Sequence, residues 1–426
     1  MLKLKIIHRE LVVIGGGPAG IAAALEAEKL GMKDILILER NEQLGGILEQ
    51  CIHDGFGVQR FKKQLSGPQY AQLFIDELEE SLIDIKLRTM VLEITRNKTI
   101  YAVNSVEGMI EIHTKAIILA MGCRERTRNQ VFIFGTRPSG IMTAGTVQRY
   151  MNIEGLIPGQ KVVILGSGDI GLIMARRMTL EGMEVEGVYE AMDTPGGLTR
   201  NVFQCLDDYN IPLYLSTTIT EVKGKHQLEG VVVQKINKNK IPIPGSERYI
   251  KCDLLVLSVG LIPENELSRK AGVHISPITK GPYIDNNMMT NIDGIFASGN
   301  VVNVFDLVDY VSNTGEIAGR GAYRYVKGNY KNKESIDIVA GENVNFLIPN
   351  FYRVEKNEEL SIYFRSKIVM ENAIVYIIQR DMELYKKRYK IVRPQEMVVI
   401  HLDKNTIGEI NKNDSILVKI RMGDKK

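Results

Sequence analysis

Residues 11–40 read LVVIGGGPAGIAAALEAEKLGMKDILILER, and residues 162–190 read VVILGSGDIGLIMARRMTLEGMEVEGVYE. In each, an apolar run precedes a glycine-rich turn, an amphipathic segment ends at glycine, and a second apolar run ends at glutamate, Glu39 or Glu190. One such unit is a weak signal, but two in the same register predict an α/β fold with two homologous domains. A displacement of 151 positions pairs Gly15 with Gly166, Gly17 with Gly168, Gly20 with Gly171 and Gly31 with Gly182.

The segments that follow each unit also correspond to one another. Gly67–Pro68 opens a helical stretch over 69–82, and the matching helix is predicted near 198–209. Predicted strands follow each helix. In the first half they are 83–94, 99–104, 109–114 and the buried run 115–122, and in the second half 211–222, 228–236 and 252–260.

The composition changes beyond Val326. A polar linker covers 327–335, and runs with alternating apolar and polar residues follow, such as LSIYF and MVVIHL. Alternation with a period of two residues is typical of strands with one buried face. We therefore predict a small, mostly β C-terminal domain over residues 335–426.

Composition and charge argue against several classes of protein. Hydrophobic residues make up 44% of the chain and charged residues 25%, which is ordinary for a globular protein. The formal net charge of +3 is small for 426 residues and does not indicate nucleic-acid binding. Residues 1–10 lack the apolar segment of a secretion signal, and no run approaches the ~20 apolar residues of a membrane span. We expect a cytoplasmic protein without a membrane span.

Cysteine and histidine spacing argues against a metal site. The four cysteines, Cys51, Cys123, Cys205 and Cys252, form no CxxC motif, and the six histidines form no HxxxH or HExxH motif. Closely spaced cysteines build redox disulfides and structural zinc sites. The sequence therefore predicts neither a disulfide between close neighbours nor a bound metal.

The turn at 15–20, GGGPAG, carries the first chemical signal. Its first glycine permits a tight turn, the second lets the backbone approach a pyrophosphate, and the third lets the helix pack close to the strand. The N–H groups and the partial positive charge at the start of the helix favour phosphate. Glu39, at the end of the next strand, is placed to accept hydrogen bonds from both ribose hydroxyls. A dinucleotide is therefore the expected ligand of a Rossmann-like domain.

The turn at 166–171, GSGDIG, predicts a second dinucleotide site with Glu190 as its acidic residue. A carboxylate repels the 2′-phosphate of NADPH, for which such sites use arginine. No basic residue is present among Ala191, Met192 and Asp193. NADH is therefore the predicted ligand of the second domain.

Three further motifs give the resemblance to a family. They are AMG at 120–122, VGLIPENE at 259–266 and TNIDGIFASGN at 290–300. With the two glycine-rich turns, they resemble the pyridine nucleotide–disulfide oxidoreductase superfamily, in its thioredoxin-reductase-like branch, over about residues 8–330. The redox cysteine pairs of that branch are absent from the sequence.

The resemblance implies that residues 1–127 and 262–330 bind FAD, and that an NADH-binding domain, 128–261, is inserted between them. Asn300 stands where the family has an aspartate, and it keeps hydrogen-bonding capacity without the charge. The implied FAD-binding residues are Gly15, Gly17, Pro18, Ala19, Gly20, Glu39, Arg40, Gly46, Val91, Ala120, Gly122, Gly299 and Asn300. The implied NAD-binding residues are Gly166, Gly168, Asp169, Ile170, Gly171, Glu190 and Gly260.

Other runs resemble one subgroup of the superfamily: LGGILEQCIHDGFG (44–57), RPSGIMTAGTVQRYMN (137–152) and VRPQEMV (392–398). The subgroup comprises flavoproteins associated with anaerobic glycerol-3-phosphate dehydrogenase and, more distantly, the amine-, proline- and cyanide-forming dehydrogenase flavoprotein subunits. This resemblance implies an electron-transfer subunit that works with a partner dehydrogenase, a small iron–sulfur protein and NADH. No cysteine follows Cys252, so an iron–sulfur cluster would belong to a partner. Formation of a homo-oligomer is left open.

Cys51 and His53 are the candidate catalytic residues. Cys51 is either a redox-active thiol, as in NADH oxidases and peroxidases, or a small buried residue at the start of a helix beside the flavin. His53, in the loop HDGFG, either relays a proton to the flavin or a partner, or holds the loop in place. A helix beginning around 309–312 is expected to stabilise a reduced flavin through its N-terminus.

Three functions stay open from the sequence. The first is an FAD-dependent NADH:acceptor oxidoreductase subunit, with hydride transfer between NADH and FAD. The second is a free-standing NADH oxidase or peroxide reductase that uses Cys51. The third is a non-catalytic, flavin-binding interaction subunit. The basic stretch 386–393 of the C-terminal domain either docks an acidic electron partner or forms a solvated surface.

Overall fold

The structure, a computed structural model, describes residues 4–329, 334–353 and 359–423. Residues 330–333 of the predicted linker lie outside the described residues. The chain forms two compact units. Unit 1 comprises Met1–Leu48, Asp54–Cys123 and Pro263–Lys426, and unit 2 comprises Glu49–His53 and Arg124–Ile262.

The helices are α1 (Pro18–Lys29), α2 (Gly67–Glu79), α3 (Ala144–Asn152), α4 (Asp169–Leu180), α5 (Thr199–Cys205), α6 (Glu266–Lys270), α7 (Val308–Val326) and α8 (Lys404–Gly408). Short 3₁₀ helices are Gly46–Gln50, Arg128–Val131, Asp207–Tyr209 and Gly299–Val301. The strands up to the start of unit 2 are β1 (Lys5–Ile14), β2 (Ile35–Leu38), β3 (Asp54–Phe56), β4 (Leu65–Ser66), β5 (Asp84–Lys86), β6 (Met90–Ile94), β7 (Thr99–Asn104), β8 (Gly108–Leu119) and β9 (Cys123–Glu125).

The strands of unit 2 and its exit are β10 (Phe134–Gly135), β11 (Ile141–Thr143), β12 (Lys161–Leu165), β13 (Glu184–Tyr189), β14 (Leu213–Tyr214), β15 (Thr217–Lys223), β16 (Gly230–Lys235), β17 (Arg248–Lys251), β18 (Leu254–Leu257) and β19 (Leu261–Pro263). The strands after the exit are β20 (Ile295–Ala297), β21 (Ser335–Ala340), β22 (Val344–Ile348), β23 (Phe351–Arg353), β24 (Leu360–Ser366), β25 (Met370–Gln379), β26 (Met382–Val392), β27 (Val398–Leu402) and β28 (Ile416–Met422).

The central sheet of unit 1 has the strand order β5-β2-β1-β8-β7-β6, and β20 adds to β8. Its middle strands run parallel, with Leu11 opposite both Ile35 and Ala116, and Ile117 opposite Ile295. The β1 residues 11–14 and all of β2 are buried. Continuous apolar strands of this kind are covered on both faces, as in doubly wound α/β sheets.

Helix α7 packs directly against α1 because two glycines leave no side chain in the way. A methyl group on Gly315 would overlap the carbonyl oxygen of Ala19, and one on Gly319 would overlap that of Ala23. The two helix backbones therefore approach more closely than they could with larger residues at these two positions.

Unit 2 repeats this arrangement on a smaller scale. Its parallel sheet has the order β11-β18-β12-β13-β14, and a second sheet has the order β10-β15-β16-β17. The buried strand β12 lies between β13 and β18, with Val163 opposite Gly187 and Leu255. The predicted α/β fold with two Rossmann-like domains is confirmed.

The C-terminal region is β-rich, as predicted. A five-stranded sheet, β23-β21-β28-β25-β26, and a three-stranded sheet, β22-β24-β27, enclose their own apolar core. Three of its residues, Ile348, Tyr363 and Met397, belong instead to the core that contains α1, α7 and the central sheet of unit 1. The small β domain is thus continuous with the core of unit 1.

The basic stretch 386–393 lies mostly on β26, an edge strand. Alternate strand residues point to opposite faces, so Lys386 and Arg388 share one face and Lys387 occupies the other. On the first face, Tyr376 of β25 lies opposite both Lys386 and Lys419, with the two ammonium groups 5.3 and 5.6 Å from its ring centroid. The basic surface therefore combines two strands that are distant in sequence.

Several predicted element boundaries are wrong. The runs 109–114 and 115–122 form one strand, β8, since pairing with β7 and then β20 continues along the same edge. The run 83–94 is divided into β5 and β6 by Arg88, which has a φ of 50°. The segment 198–209 contains α5 and a separate 3₁₀ turn.

The surroundings of the two candidate catalytic residues also differ from prediction. Cys51 follows the 3₁₀ helix Gly46–Gln50 instead of starting a helix. The loop after His53 contains a short strand, β3, paired with β4.

The helix that is expected to begin around 309–312 is α7, which begins at Val308.

No helix within the described ranges combines the length and the apolar character that crossing a bilayer requires.

Candidate functional site

The turn 15–20 joins β1 to α1 with little space around Gly15 and Gly20. Gly15 has a φ of +110°, and a methyl group there would overlap the carbonyl oxygen of Ala120 at the end of β8. A methyl group on Gly20 would overlap the carbonyl oxygen of Gly15. Only glycine satisfies both the backbone conformation and the close approach, so the turn holds the start of α1 against the strand ends.

The start of α1 has open space beside Gly17. Pro18 is its first residue, Gly17 is its N-cap, and no side-chain hydrogen bond caps it. An added Cβ on Gly17 would meet only the Cα of Gly46, at 3.9 Å. The N–H groups of a helix's first turn lack intrahelical partners and attract anions. Ala19, in this turn, is buried.

Glu39 accepts hydrogen bonds from two backbone N–H groups. Gly16 donates to Oε2 at 2.8 Å and Asn41 donates to Oε1 at 2.7 Å, and the side chain is only 5% exposed. A carboxylate has about four lone-pair positions, so each oxygen keeps one for a ribose hydroxyl. The next residue, Arg40, is exposed. Val91 is buried in β6 beyond Thr89, whose N–H donates to the Glu39 carbonyl at 2.8 Å.

The second predicted FAD motif follows β20. Gly299 has a φ of +68° and donates its N–H to Thr314 Oγ1 at 2.9 Å. Asn300 accepts from the Phe305 N–H at 3.1 Å and donates to Cys123 Sγ at 3.7 Å. The Ser298 hydroxyl, fully buried, has no hydrogen-bond partner among the described residues.

These features of unit 1 fit an adenine dinucleotide such as FAD. An uncapped helix start with an open glycine cradle suits a pyrophosphate, and Glu39 retains capacity for hydroxyl donors. Ala120 and Gly122 end the strand beside Gly15, and Gly122 has open space around it at a φ of +70°. Most of the residues expected to bind FAD therefore lie around the carboxyl ends of β1, β2, β8 and β20, whereas Val91 lies within β6.

The second glycine-rich turn reproduces the first within unit 2. Gly166 has a φ of +100°, and a methyl group there would overlap the carbonyl oxygen of Ser258. Gly168 is the N-cap of α4, and a Cβ on Gly171 would lie 2.7 Å from the Gly166 carbonyl oxygen. Ile170 is half-buried in the first turn of α4.

Glu190 makes one contact more than Glu39. Its Oε2 accepts from the Ser167 N–H at 2.9 Å and from the Ser167 hydroxyl at 2.6 Å, while Oε1 accepts from the Met192 N–H at 2.9 Å. The carboxylate is 9% exposed. A buried carboxylate beside this turn disfavours a further negative charge, such as the 2′-phosphate of NADPH.

A loop after Glu190 is attached to the glycine-rich turn. Gly196 donates its N–H to the Ser167 hydroxyl at 2.8 Å, and Asp169 Oδ1 accepts from Leu198 N–H at 2.8 Å and from Asn201 Nδ2 at 2.6 Å. Gly260 is exposed, and its carbonyl accepts from the Arg126 N–H at 3.1 Å.

The Cys51 thiol lies in a polar contact network of unit 2. Its Sγ is 4.0 Å from Gln148 Oε1, which also accepts from Gln50 Nε2 at 3.0 Å. Burial raises the pKa of the Cys51 thiol to about 12. The thiol is therefore neutral near pH 7, whereas nucleophilic cysteines need the thiolate. His53 is half-buried two residues later, and the segment 49–53 groups with unit 2.

Several polar residues around the two turns are not predicted from the sequence. Ser167 replaces the middle glycine of the first turn and donates its hydroxyl to Glu190. Ser258 follows β18 as Ala120 follows β8, and the internal repeat could have identified it. Thr314 could not be found by pattern, because it meets Gly299 only in three dimensions.

Comparison with known proteins gives relatives of the same kind. The chain is 27% identical over 287 residues to the hydrogen cyanide synthase subunit HcnB of Pseudomonas protegens, covering 62% of this chain and 58% of that protein. It is 26% identical to one subunit of opine oxidase from Agrobacterium tumefaciens, covering 73% of this chain and 64% of that protein. The chain thus spans about three fifths of the length of these curated relatives.

Among solved structures, thioredoxin reductase of T. acidophilum matches with a TM-score of 0.60 at 23% sequence identity, covering 74% of this chain and 98% of that one. The likeness shows a shared fold. The family model described as pyridine nucleotide-disulphide oxidoreductase matches residues 9–315. The chain therefore belongs to the pyridine nucleotide-disulphide oxidoreductase family, whose members are FAD-dependent NAD(P)H oxidoreductases.

Proposed function

We propose that the chain transfers a hydride between NADH and FAD, with FAD bound by residues 1–127 and 262–330 and NADH bound by the inserted domain 128–261. The observation that carries this proposal is the repeated acid–turn contact: Glu39 and Glu190 each accept an N–H from the glycine-rich turn of their own unit. Two such sites on one chain suit two different dinucleotides.

NADH is preferred to NADPH because Glu190 occupies the position that would meet the adenosine ribose. Its carboxylate already accepts three hydrogen bonds and is buried, so it is fixed in place. A ribose hydroxyl can donate to such a group, but a phosphate monoester cannot.

The residues of this chain contribute binding and orientation to the reaction. A bound flavin supplies the electron sink for the hydride of a nicotinamide and can release the electrons again. The uncapped start of α1 binds phosphate, Glu39 orients a ribose, and the Asn300 amide holds the segment that follows the second motif.

We further propose that the chain is an electron-transfer subunit that works with a glycerol-3-phosphate-type dehydrogenase and a small iron–sulfur protein. The motifs at 44–57, 137–152 and 392–398 support this assignment by resemblance. Two curated relatives are themselves described as subunits, of hydrogen cyanide synthase and of opine oxidase. Cysteine redox chemistry is not part of the proposal, because burial keeps the pKa of Cys51 near 12.

Anaerobic titration of the FAD-loaded protein with NADH tests the first proposal. We expect NADH to bleach the flavin absorbance at a lower concentration than NADPH. A flavin that NADH leaves unchanged would support a non-catalytic interaction subunit instead. Rapid turnover with oxygen or peroxide that Cys51→Ser abolishes would support the free-standing NADH oxidase or peroxide reductase.

The partner proposal is tested separately, by co-expression with the products of neighbouring reading frames. We expect a second flavoprotein and a small cysteine-rich protein to co-purify with this chain and to raise the slow oxygen turnover of the NADH-reduced flavin. Full activity of the isolated chain, unchanged by both proteins, would contradict the proposal.

A further inference from the structure

The C-terminal β domain contacts unit 1 at several places, which include Ile284, Asp285 and a further segment that follows β20. This linking segment, residues 301–310, connects the second predicted FAD motif to the first turn of α7. The family model ends at residue 315, so the β domain lies outside the part of the chain that defines the family. Its contacts with the linking segment therefore need an explanation of their own.

Arg365, on β24, binds the linking segment at two points. Its Nη2 donates to Asp306 Oδ1 at 2.7 Å and to the Val304 carbonyl oxygen at 3.2 Å. The other oxygen of Asp306 accepts from the Met397 N–H at 2.6 Å. One carboxylate is thus held by a side chain and a backbone group of the β domain, in an arrangement that fixes its orientation.

Tyr363 contacts the same segment. It lies two residues before Arg365, on the same face of β24. Its ring packs edge-to-face against Phe305, with centroids 5.5 Å apart, and against Tyr310, with centroids 5.9 Å apart. Its hydroxyl accepts from Asn313 Nδ2 at 2.6 Å. The side chain is fully buried, and burial raises the pKa of Tyr363 to about 12, so the hydroxyl stays neutral.

These contacts continue into the predicted FAD site. Phe305, held by the Tyr363 ring, donates its N–H to Asn300 Oδ1 at 3.1 Å. Tyr310, the second ring that contacts Tyr363, accepts from Gln59 Nε2 at 3.2 Å, and the Gln59 N–H donates to Asp309 Oδ2 at 3.1 Å. A displacement of Tyr363 would therefore change the packing of both Phe305 and Tyr310.

Arg365 contributes more to the orientation of the linking segment than to the stability of the fold. Arg365 Nε is buried without a hydrogen-bond partner among the described residues. An unsatisfied buried donor is costly, and apolar residues in place of a buried ion pair are often neutral or stabilising. A packing role alone would not require an arginine at this position.

We infer that Tyr363 and Arg365 are positioning residues for FAD, which hold the segment between Asn300 and α7 in its binding conformation. The inference rests on the proposed binding of FAD by unit 1. The β domain is in this view a structural part of the flavin site.

The test uses the full chain, stripped of flavin and titrated with FAD. The variants are Arg365→Ala, Arg365→Lys and Tyr363→Phe. The matched control is Arg421→Ala, which removes an arginine from the same domain that pairs at 2.9 Å with Glu342 on the exposed face. We expect the FAD dissociation constant to rise about tenfold or more in Arg365→Ala, because a charge-assisted contact is lost. It should stay unchanged in Arg421→Ala and recover partly in Arg365→Lys.

A second measurement separates positioning from general destabilisation. At saturating FAD, we expect the visible spectrum and the midpoint potential of the flavin to change in Arg365→Ala and not in Arg421→Ala. Wild-type affinity, spectrum and potential in Arg365→Ala would overturn the inference, as would equal effects of both arginine variants.

If Arg365→Ala fails to fold, Tyr363→Phe decides the question. It removes one oxygen atom and keeps the ring, and we expect about a threefold weaker FAD affinity from the lost neutral hydrogen bond. An affinity and spectrum identical to the wild type would then overturn the inference. Failure of the proposed function is distinguishable, because the wild-type protein itself would not bind FAD.

Discussion

Glu39 and Glu190 occupy the same position in the two halves of the protein, 151 residues apart, and share two backbone contacts. Each accepts the N–H of the second residue of its glycine-rich turn through Oε2, at 2.8 and 2.9 Å. Each accepts the N–H of the residue two positions later through Oε1, at 2.7 and 2.9 Å. The two carboxylates are therefore held in the same way by the backbone of their own unit.

Exchange of these acids for amides should separate the two nucleotides. We expect Glu39→Gln to weaken FAD binding, and Glu190→Gln to weaken NADH binding, each by about tenfold, because a hydrogen bond to a charged group contributes about 1.5–3 kcal/mol. Each variant is the control of the other, and dissociation constants for both nucleotides are measured on both. Loss of NADH binding in Glu39→Gln with normal binding in Glu190→Gln would contradict the assignment.

The close packing of α1 and α7 predicts a position that tolerates no methyl group. Gly315→Ala would place its Cβ against the backbone of Ala19, and overpacking of this kind costs about 1–3 kcal/mol. We expect a lower midpoint of urea unfolding and faster release of FAD. Gly408→Ala is the matched control, because its Cβ would meet no atom within 4 Å. Equal midpoints for both variants would show that the helices can move apart.

The half-buried position of Cys51 and the raised pKa of its thiol predict slow alkylation. Burial raises its pKa from about 9 to about 12, so the reactive thiolate is scarce in the folded protein at pH 8. We expect iodoacetamide to modify Cys51 much more slowly in the folded protein than in urea, with peptide mass spectrometry as the measurement. Cys51→Ser should keep NADH-dependent bleaching of the flavin. Rapid alkylation in the folded state would contradict the raised pKa of Cys51 and would reopen the hypothesis of a redox-active thiol.

The same shift predicts a loss of stability at alkaline pH. The folded protein keeps the proton on Cys51 up to about pH 12, whereas the unfolded chain releases it near pH 9. Because the unfolded state binds fewer protons in this window, the free energy of unfolding falls as the pH rises from 9 to 12. We expect the fall to be smaller in Cys51→Ala, as measured by urea unfolding at several pH values. An identical slope in both proteins would contradict the shift.

Asn300 predicts how the second FAD motif tolerates substitution. Asn300→Asp keeps an oxygen for the Phe305 N–H but loses the amide that donates to Cys123. We expect FAD affinity within about threefold of the wild type, since the lost contact to sulfur is a weak hydrogen bond. Asn300→Ala loses both contacts and should bind FAD about tenfold more weakly. Equal affinities of the two variants would show that the oxygen contact contributes nothing.

The sequence predicts the two Rossmann-like folds well because their signal is local and repeated. Gly15, Gly20 and Glu39 lie within one strand–helix–strand unit, and each has its counterpart in the second unit. The periodicity of the C-terminal strands likewise reveals a β domain. It does not reveal where that domain packs.

Contacts between residues that are distant in sequence are not predicted. Arg365 meets Asp306 across 59 positions, and Lys386 and Lys419 meet the same tyrosine from different strands. No periodicity links such pairs. The sequence predicts two strands that meet between Thr114 and Lys115, although the pairing of β8 with β1 continues past both residues.

Unit 1 is interrupted by residues 124–262 of unit 2, and this affects the order in which the protein folds during synthesis. Domains generally fold as units while the chain leaves the ribosome, so residues 124–262 can complete their sheets before β20 and α7 exist. Until then, the Ile117–Leu119 edge of β8 lacks its partner, Ile295–Ala297, and presents unpaired apolar backbone to other nascent chains. The yield of intact protein should therefore depend on translation pauses or chaperones that act after the synthesis of β8 and before that of β20.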